Sequence, residues 1–231
     1  MVDAHCHLYD LETLEDIDQL NLIICNGAGI ETNDKTWEIA QKYENVYATA
    51  GCHPEEMESF DEKRLREQIS RSKVVAIGET GLDYYEKTTE EEKEKQRELF
   101  KINIELAKEY KLPLVVHCRN AFEDVFELVD YDRVQMHCFT GNMEQMQECV
   151  RRGWYISVGG IITFKNDGGL REVVKKIPKN LLLTETDAPW LSPEPFRGQK
   201  NKPSRVKYVL EQLGMDLESK IEENTRRLFG L

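Results

Sequence analysis

The sequence predicts a (β/α)8 TIM barrel, formed as a single domain over residues 1–231. Three observations predict it. Eight short apolar, β-branched runs recur along the chain. Amphipathic stretches separate them, as parallel strands with covering helices require. The Gly-x-Gly-x-x-Gly turn that opens many doubly wound sheets is missing after the first run, where Leu8-Tyr9-Asp10 stands instead.

The runs occupy residues 2–8, 22–26, 46–52, 74–80, 114–118, 134–138, 154–158 and 181–186. Their starts lie roughly 20 to 40 residues apart, room for a helix and two loops each time. Thr89-Glu90-Glu91-Glu92 reads as a capping box, with Thr89 as N-cap and Glu92 reaching back. It opens a long helix to about Tyr110, and Pro113 begins the next strand. The charge run over 86–98 reads as the solvated face of that helix. A further helix over 142–152 ends at Gly153, a suitable C′ residue. No linker, repeat or low-complexity tract divides the chain.

Lys plus Arg number 31 against 43 Asp plus Glu, a net charge of −12. Such a balance excludes a protein that coats nucleic acid or an anionic membrane. The composition, 40% hydrophobic and 32% charged, is that of a globular chain. Six cysteines, at 6, 25, 52, 118, 138 and 149, form no Cys-x-x-Cys pair and lie largely in apolar runs, which points to a reducing, cytoplasmic setting. Asp3, His5 and His7 interrupt the start, unlike a signal peptide. No apolar run approaches the roughly 18–20 residues of a membrane span.

The five histidines, 5, 7, 53, 117 and 137, all fall at or near the predicted C-terminal ends of strands. In a barrel those ends converge on the face where active sites are built. In Asp3-Ala4-His5-Cys6-His7 the side chains alternate, so His5 and His7 point the same way and can chelate one ion, while Cys6 faces the other side. Asp3 lies one pleat deeper and suits a supporting role. Glu79 ends the fourth run after Val74-Val75-Ala76-Ile77; a carboxylate there is costly unless paired or metal-bound, and its two oxygens can bridge two cations. Strands five and six deliver His117 and His137. In Thr184-Glu185-Thr186-Asp187, Asp187 lies nearer the rim and is the better ligand, with Glu185 behind it. Four histidines and two carboxylates are enough for two divalent ions.

At this point the chain resembles the TatD-type deoxyribonucleases, within the amidohydrolase-like metal-dependent hydrolases. The resemblance rests on DAHCHL (3–8), GCHP (51–54), GETGLDYY (78–85), VVHCRNA (115–121), MHCFTG (136–141), TETDAPWL (184–191), RGQKNKP (197–203) and ENTRRLF (223–229). These segments run in family order over nearly the whole chain. The resemblance implies the same barrel and hydrolysis of DNA phosphodiesters, often from the 3′ end and on single strands. It implies that His5, His7, Glu79 and Asp187 hold one metal, and Glu79, His117 and His137 the second. His53 is then not a ligand but a phosphate contact. Asp187 would take the proton of an attacking water, and His53 and Arg119 would face the added negative charge on phosphorus. Arg119 has an alternative role as a surface or helix-capping residue. Tyr84, Tyr85 and Trp190 are candidates either for base stacking or for core packing.

A second reading is an amide, ester or lactone hydrolase of small molecules on the same scaffold. Many binuclear amidohydrolases use a modified lysine after strand four, where this chain has Glu79. A third reading, a non-catalytic binding protein, sits poorly with six retained ligands. Zn²⁺ or Mn²⁺ suits four histidines, whereas phosphoryl chemistry often uses Mg²⁺. The segment 195–207 holds Arg197, Lys200, Lys202, Arg205 and Lys207 and no acid. It predicts a cationic mouth on an acidic body, hence a strongly salt-sensitive KM on an anionic strand.

Overall fold

The computed structural model describes residues 1–85 and 89–231. Eight parallel strands pair in sequence order: β1 Val2–Cys6, β2 Leu22–Cys25, β3 Val46–Ala50, β4 Val74–Asp83, β5 Leu114–Arg119, β6 Val134–Met136, β7 Tyr155–Val158 and β8 Leu182–Thr184. Each predicted run coincides with one strand, β4 and β5 continuing past their runs to Asp83 and Arg119. The first and last strands meet through His5 and His7: Asp187 N–H donates to His5 O at 2.9 Å, and His7 N–H donates to Ala188 O at 2.7 Å. The sheet thereby closes into a nearly complete (β/α)8 barrel.

Helices α1 Ile30–Lys42, α2 Glu62–Ile69, α3 Glu90–Tyr110, α4 Phe122–Leu128, α5 Met143–Arg151, α6 Leu170–Val174 and α7 Val206–Leu213 follow β2 to β8 in turn, and α8 Glu218–Phe229 ends the chain. Strict alternation fails once. Between β1 and β2 the described chain makes only two 3-10 turns, Leu8–Asp10 and Ile17–Gln19. The short segment between these strands carries five acidic residues among its apolar ones. Leu8, Ile17 and Leu20 bury themselves there instead, against Cys6, Ile23 and Val46.

The capping box of α3 is present: Glu92 N–H donates to Thr89 Oγ1, and Thr89 N–H donates back to Glu92 Oε2. The acidic run over 86–98 begins in residues 86–88, which lie outside the described residues; its remainder exposes Glu90, Glu91, Glu94 and Glu98 on α3. The opposite face buries Gln96, Leu99, Phe100, Asn103 and Ile104. Asn142 and Gln145 make a second reciprocal cap on α5, which ends before Gly153 at φ 74°. At the N-terminal end of the barrel Leu228 and Phe229 of α8 pack with Val2, Ala4, Leu22, Ala76, Val115 and Leu183.

One glycine sets the approach of β4 to β5. Gly81 holds φ +143°, and a Cβ there would lie 2.0 Å from His117 O. The Gly81→Ala protein is expected to lose about 3 kcal/mol of stability, because β5 must be pushed away from β4. A thermal melt within about 2 °C of the parent would refute this.

Candidate metal centre

The C-terminal ends of six strands bring the candidate site residues together. His5 lies in β1 and His7 just beyond it; Glu79 and His117 lie within β4 and β5; His53, His137 and Asp187 follow β3, β6 and β8. His5, His7, Glu79 and His137 are buried, and the Asp187 side chain keeps 13% exposure toward the mouth.

Glu79 stands at the centre. Its Oε2 lies 3.3 Å from both His5 Nε2 and His7 Nε2. Its Oε1 lies 2.8 Å from His137 Nε2 and 3.1 Å from His117 Nδ1. His5 Nε2 and His7 Nε2 are 3.1 Å apart, and Asp187 Oδ1 stands 3.7 and 3.6 Å from them. His117 Nδ1 and His137 Nε2 are 3.3 Å apart. Two donor atoms on one ion, each about 2.0–2.2 Å from it at tetrahedral or octahedral angles, lie roughly 2.9–3.5 Å apart. Most of these spacings fall in or near that range, those to Asp187 being longer, so the cluster can hold divalent metal. Burial alone would raise the Glu79 pKa. The imidazoles of His137, His5 and His53 outweigh burial and hold it well below the ordinary range, so the carboxylate is ionised.

The outer ring nitrogens fix which nitrogen faces inward. His7 Nδ1 lies 3.0 Å from Asn26 O, an acceptor only, so Nδ1 carries the proton and Nε2 offers its lone pair. Tyr9 OH stands 3.0 Å from the same nitrogen. His117 Nε2 donates to Asp83 Oδ2 at 3.0 Å, which turns the Nδ1 lone pair toward Glu79. Asp83 is itself held. Gln96 of α3 accepts from Asp83 N–H and donates to Asp83 O, both at 2.8 Å, and Tyr85 N–H donates to Asp83 Oδ1 at 2.9 Å. Glu185 lies behind His137, with Oε1 3.7 Å from Nδ1, and accepts from Cys138 N–H. Asp3 touches no imidazole. Its carboxylate accepts from Thr186 Oγ1 and N–H at 2.5 and 2.9 Å and from His5 N–H at 3.3 Å, bracing the segment that carries Asp187.

Asp83, Gln96 and Asn26 carry this support, and none was singled out in the sequence. The available signals were a carboxylate continuing the buried β4 and a glutamine on the apolar stripe of α3. Asp83→Ala is expected to weaken metal affinity about 10–100-fold by freeing the His117 ring to rotate. Unchanged affinity in a metal titration would remove Asp83 from this role.

His53 takes a different position. Its Nε2 is 3.6 Å from Glu79 Oε1, and its ring meets His117 edge-on at 4.5 Å. Glu55 N–H donates to His53 Nδ1 at 3.2 Å. Burial lowers the His53 pKa to about 3, so the ring is neutral, with its proton on Nε2. That nitrogen is a donor aimed at the site rather than a free lone pair. Arg119 ends β5 at the rim. Its side chain is 48% exposed, with Nη1 3.9 Å from Asp83 Oδ2 and the guanidinium over the Tyr85 ring at 3.6 Å.

The cationic loop is neutralised in part, two of its five cations being paired with acids. Lys200 pairs with Glu12 at 2.6 Å, and Lys202 Nζ lies 3.9 Å from Asp16. Arg205 is buried, donating to Ser192 Oγ, Lys200 O and Gln199 Oε1. Arg197 and Lys207 lie over the rings of Phe164 and Tyr208. The neutralising acids belong to the β1–β2 connection, distant in sequence, so the local +5 could not reveal them. The salt dependence of KM is accordingly expected to be modest, set by Arg119, Arg197 and Lys207. Tyr84 is tied down, donating to Asp124 Oδ2 at 2.5 Å, whereas Tyr85 and Trp190 stand exposed.

Comparison with known proteins gives consistent results. The family profile described as TatD related DNase matches residues 2–230. The chain is 40% identical over 255 residues to the uncharacterized metal-dependent hydrolase YabD of Bacillus subtilis, covering 100% of this chain and 99% of that protein. It is 32% identical over 233 residues to the protein named 3′-5′ ssDNA/RNA exonuclease TatD of Shigella flexneri, covering 92% of this chain and 88% of that one. The crystal structure of YJJV, a TatD homolog from Escherichia coli, superposes with a TM-score of 0.90 at 29% identity, covering 100% of this chain and 98% of that chain.

Proposed function

The chain belongs to the TatD related DNase family and is a metal-dependent hydrolase; from that premise we propose that it is a deoxyribonuclease hydrolysing DNA phosphodiester bonds as a 3′-5′ exonuclease on single strands. In this reading His5, His7, Glu79 and Asp187 hold one divalent ion, and Glu79, His117 and His137 hold a second. The observation that carries it is Glu79, whose two oxygens each face a separate pair of imidazoles. Zn²⁺ or Mn²⁺ suits these four histidines better than Mg²⁺, which prefers oxygen. Bound divalent ions supply Lewis acidity at a phosphoryl oxygen and lower the pKa of a water.

The chain's own groups do the rest. Asp187, the ligand open to the mouth, accepts the proton of the attacking water at its carboxylate. His53 donates Nε2–H to a phosphoryl oxygen and remains neutral while doing so. Arg119 places a permanent charge at the rim, where it meets a phosphate of the strand. The segment holding Asp187 is braced by Asp3 and Thr186, so the base keeps its geometry during turnover.

A second reading is hydrolysis of an amide, ester or lactone in a small molecule on the same scaffold. A panel on metal-stripped protein separates the two. Labelled single-stranded DNA should shorten progressively when Zn²⁺, Mn²⁺ or Mg²⁺ is added, and EDTA should stop it. Turnover of p-nitrophenyl esters with no oligonucleotide cleaved would establish the second reading. Failure to retain any divalent ion would point to a non-catalytic protein. We place the protein in the cytoplasm: all six cysteines are free, and among the described residues no helix is long and apolar enough to cross a membrane.

A further inference from the structure

Three large apolar side chains among the described residues stand half or more exposed: Tyr85 at 56%, Met215 at 51% and Trp190 at 50%. Met215 lies in the turn before α8, remote from the site in the chain. The other two stand at the mouth of the metal-ligand cluster. Trp190 follows β8 and meets the His7 ring edge-on, with centroids 4.9 Å apart. Tyr85 follows β4, two residues after the Asp83 that holds His117, and its ring carries the Arg119 guanidinium at 3.6 Å. In the strand order β1 to β8, the β8–β1 junction and the β4–β5 pair lie on opposite sides of the barrel. Each half of the ligand cluster thus has its own exposed aromatic side chain.

A cleft of about 740 Å³ extends outward from Arg119, lined also by Lys93, Arg97, Asn120 and Thr140. It opens on the Tyr85 side of the mouth. Its volume lies within the range that holds a small organic ligand; its lining is polar and of mixed charge, with Glu90, Glu123 and Asp124 beside the cations and Arg97 paired to Glu90 and Asp124, which leaves Lys93 and Arg119 as the cations facing it.

We propose that Trp190, and Tyr85 with its stacked Arg119, are two base-stacking platforms on opposite sides of the metal cluster. The substrate is then a strand with unpaired bases that spans the site, one base on each platform and the scissile phosphate over Glu79. Stacking needs bare base faces, which a paired duplex covers with its own neighbours, so the platforms select unpaired ends. The guanidinium on Tyr85 adds a charge that a flanking phosphate can meet, and the cleft beyond receives the next nucleotide. This inference rests on the nuclease reading above and supplies its strand selectivity.

The test compares a thymidine oligonucleotide with a strand of the same length made of abasic units, using the metal-loaded full chain. The ratio of the two kcat/KM values measures what the bases contribute. In Trp190→Ala and in Tyr85→Ala that ratio is expected to fall about tenfold or more, since stacking contributes about 1–3 kcal/mol per base. Tyr85→Phe, which keeps the ring, should restore it. An unchanged ratio, or equal losses on both strands, would overturn the platforms. A binding readout stands apart from turnover: in zinc-loaded Asp187→Asn protein the base-bearing strand should quench tryptophan fluorescence more than the abasic strand, and Trp190→Phe should remove that difference. If the parent cleaves neither strand, the nuclease reading fails. The fluorescence difference then decides the platforms by itself, its presence retaining them and its absence removing them.

Discussion

Glu79→Ala is expected to lower kcat/KM about a thousandfold and to empty the site of metal under conditions where the parent stays loaded. Few side chains could have a larger effect here. Glu79 is buried, and five imidazole nitrogens lie within 3.6 Å of its two oxygens, three near Oε1 and two near Oε2. Removing the carboxylate takes one anion from both ligand sets and leaves the imidazoles facing each other. Glu79→Gln keeps the volume but turns one oxygen into an amide donor, which repels a cation, so it should lose affinity nearly as far. Elemental analysis after dialysis, paired with kcat/KM, checks both variants. Parental metal content with parental turnover would sink the shared-ligand assignment.

Asp187→Asn should act differently. Its fold should survive, because Asp187 sits at φ 56°, in the left-handed region that asparagine tolerates as well as aspartate. The backbone bond from residue 187 to His5 O is kept. The amide, however, cannot take a proton. Turnover is expected to fall about 10²–10⁴-fold, with KM changed far less. The Asp187 pKa is subject first to burial, which raises it. The imidazoles of His7, His137 and His5 beside it outweigh burial and leave it below the ordinary value. The parental rate should therefore stay high until the pH falls into the acidic range, and the variant should lose that acidic limb. A variant retaining near-parental kcat would take the proton-accepting role away from Asp187.

The same contrast, between what one side chain is and what surrounds it, separates what was legible in the chain from what was not. Eight strands were legible because strands buried on both faces read as near-continuous apolar runs. His5 and His7 were legible because strand alternation places them on one face, and their ring nitrogens indeed lie 3.1 Å apart. The cap at Thr89 was legible for a similar reason, since it is completed within three residues.

Other features depend on partners far away in sequence. Asp83 gains its place from Gln96 and gives it to His117, 34 residues on. The charge of Lys200 is spent on Glu12, 188 residues earlier. Trp190 and Tyr85 look alike in the chain as aromatic residues beside motifs, as does Tyr84. Only packing shows that Tyr84 is tied to Asp124 while the other two stand in solvent. Local periodicity and residue chemistry therefore specified the barrel, the candidate ligands and their order along the chain. Tertiary packing decided which nitrogen points inward, which cations are paired and which aromatic rings remain bare, because each is set by a contact between segments apart in the chain: β1 with β2, β4 with β5 and α4, and the loop after β8 with the loop after β1.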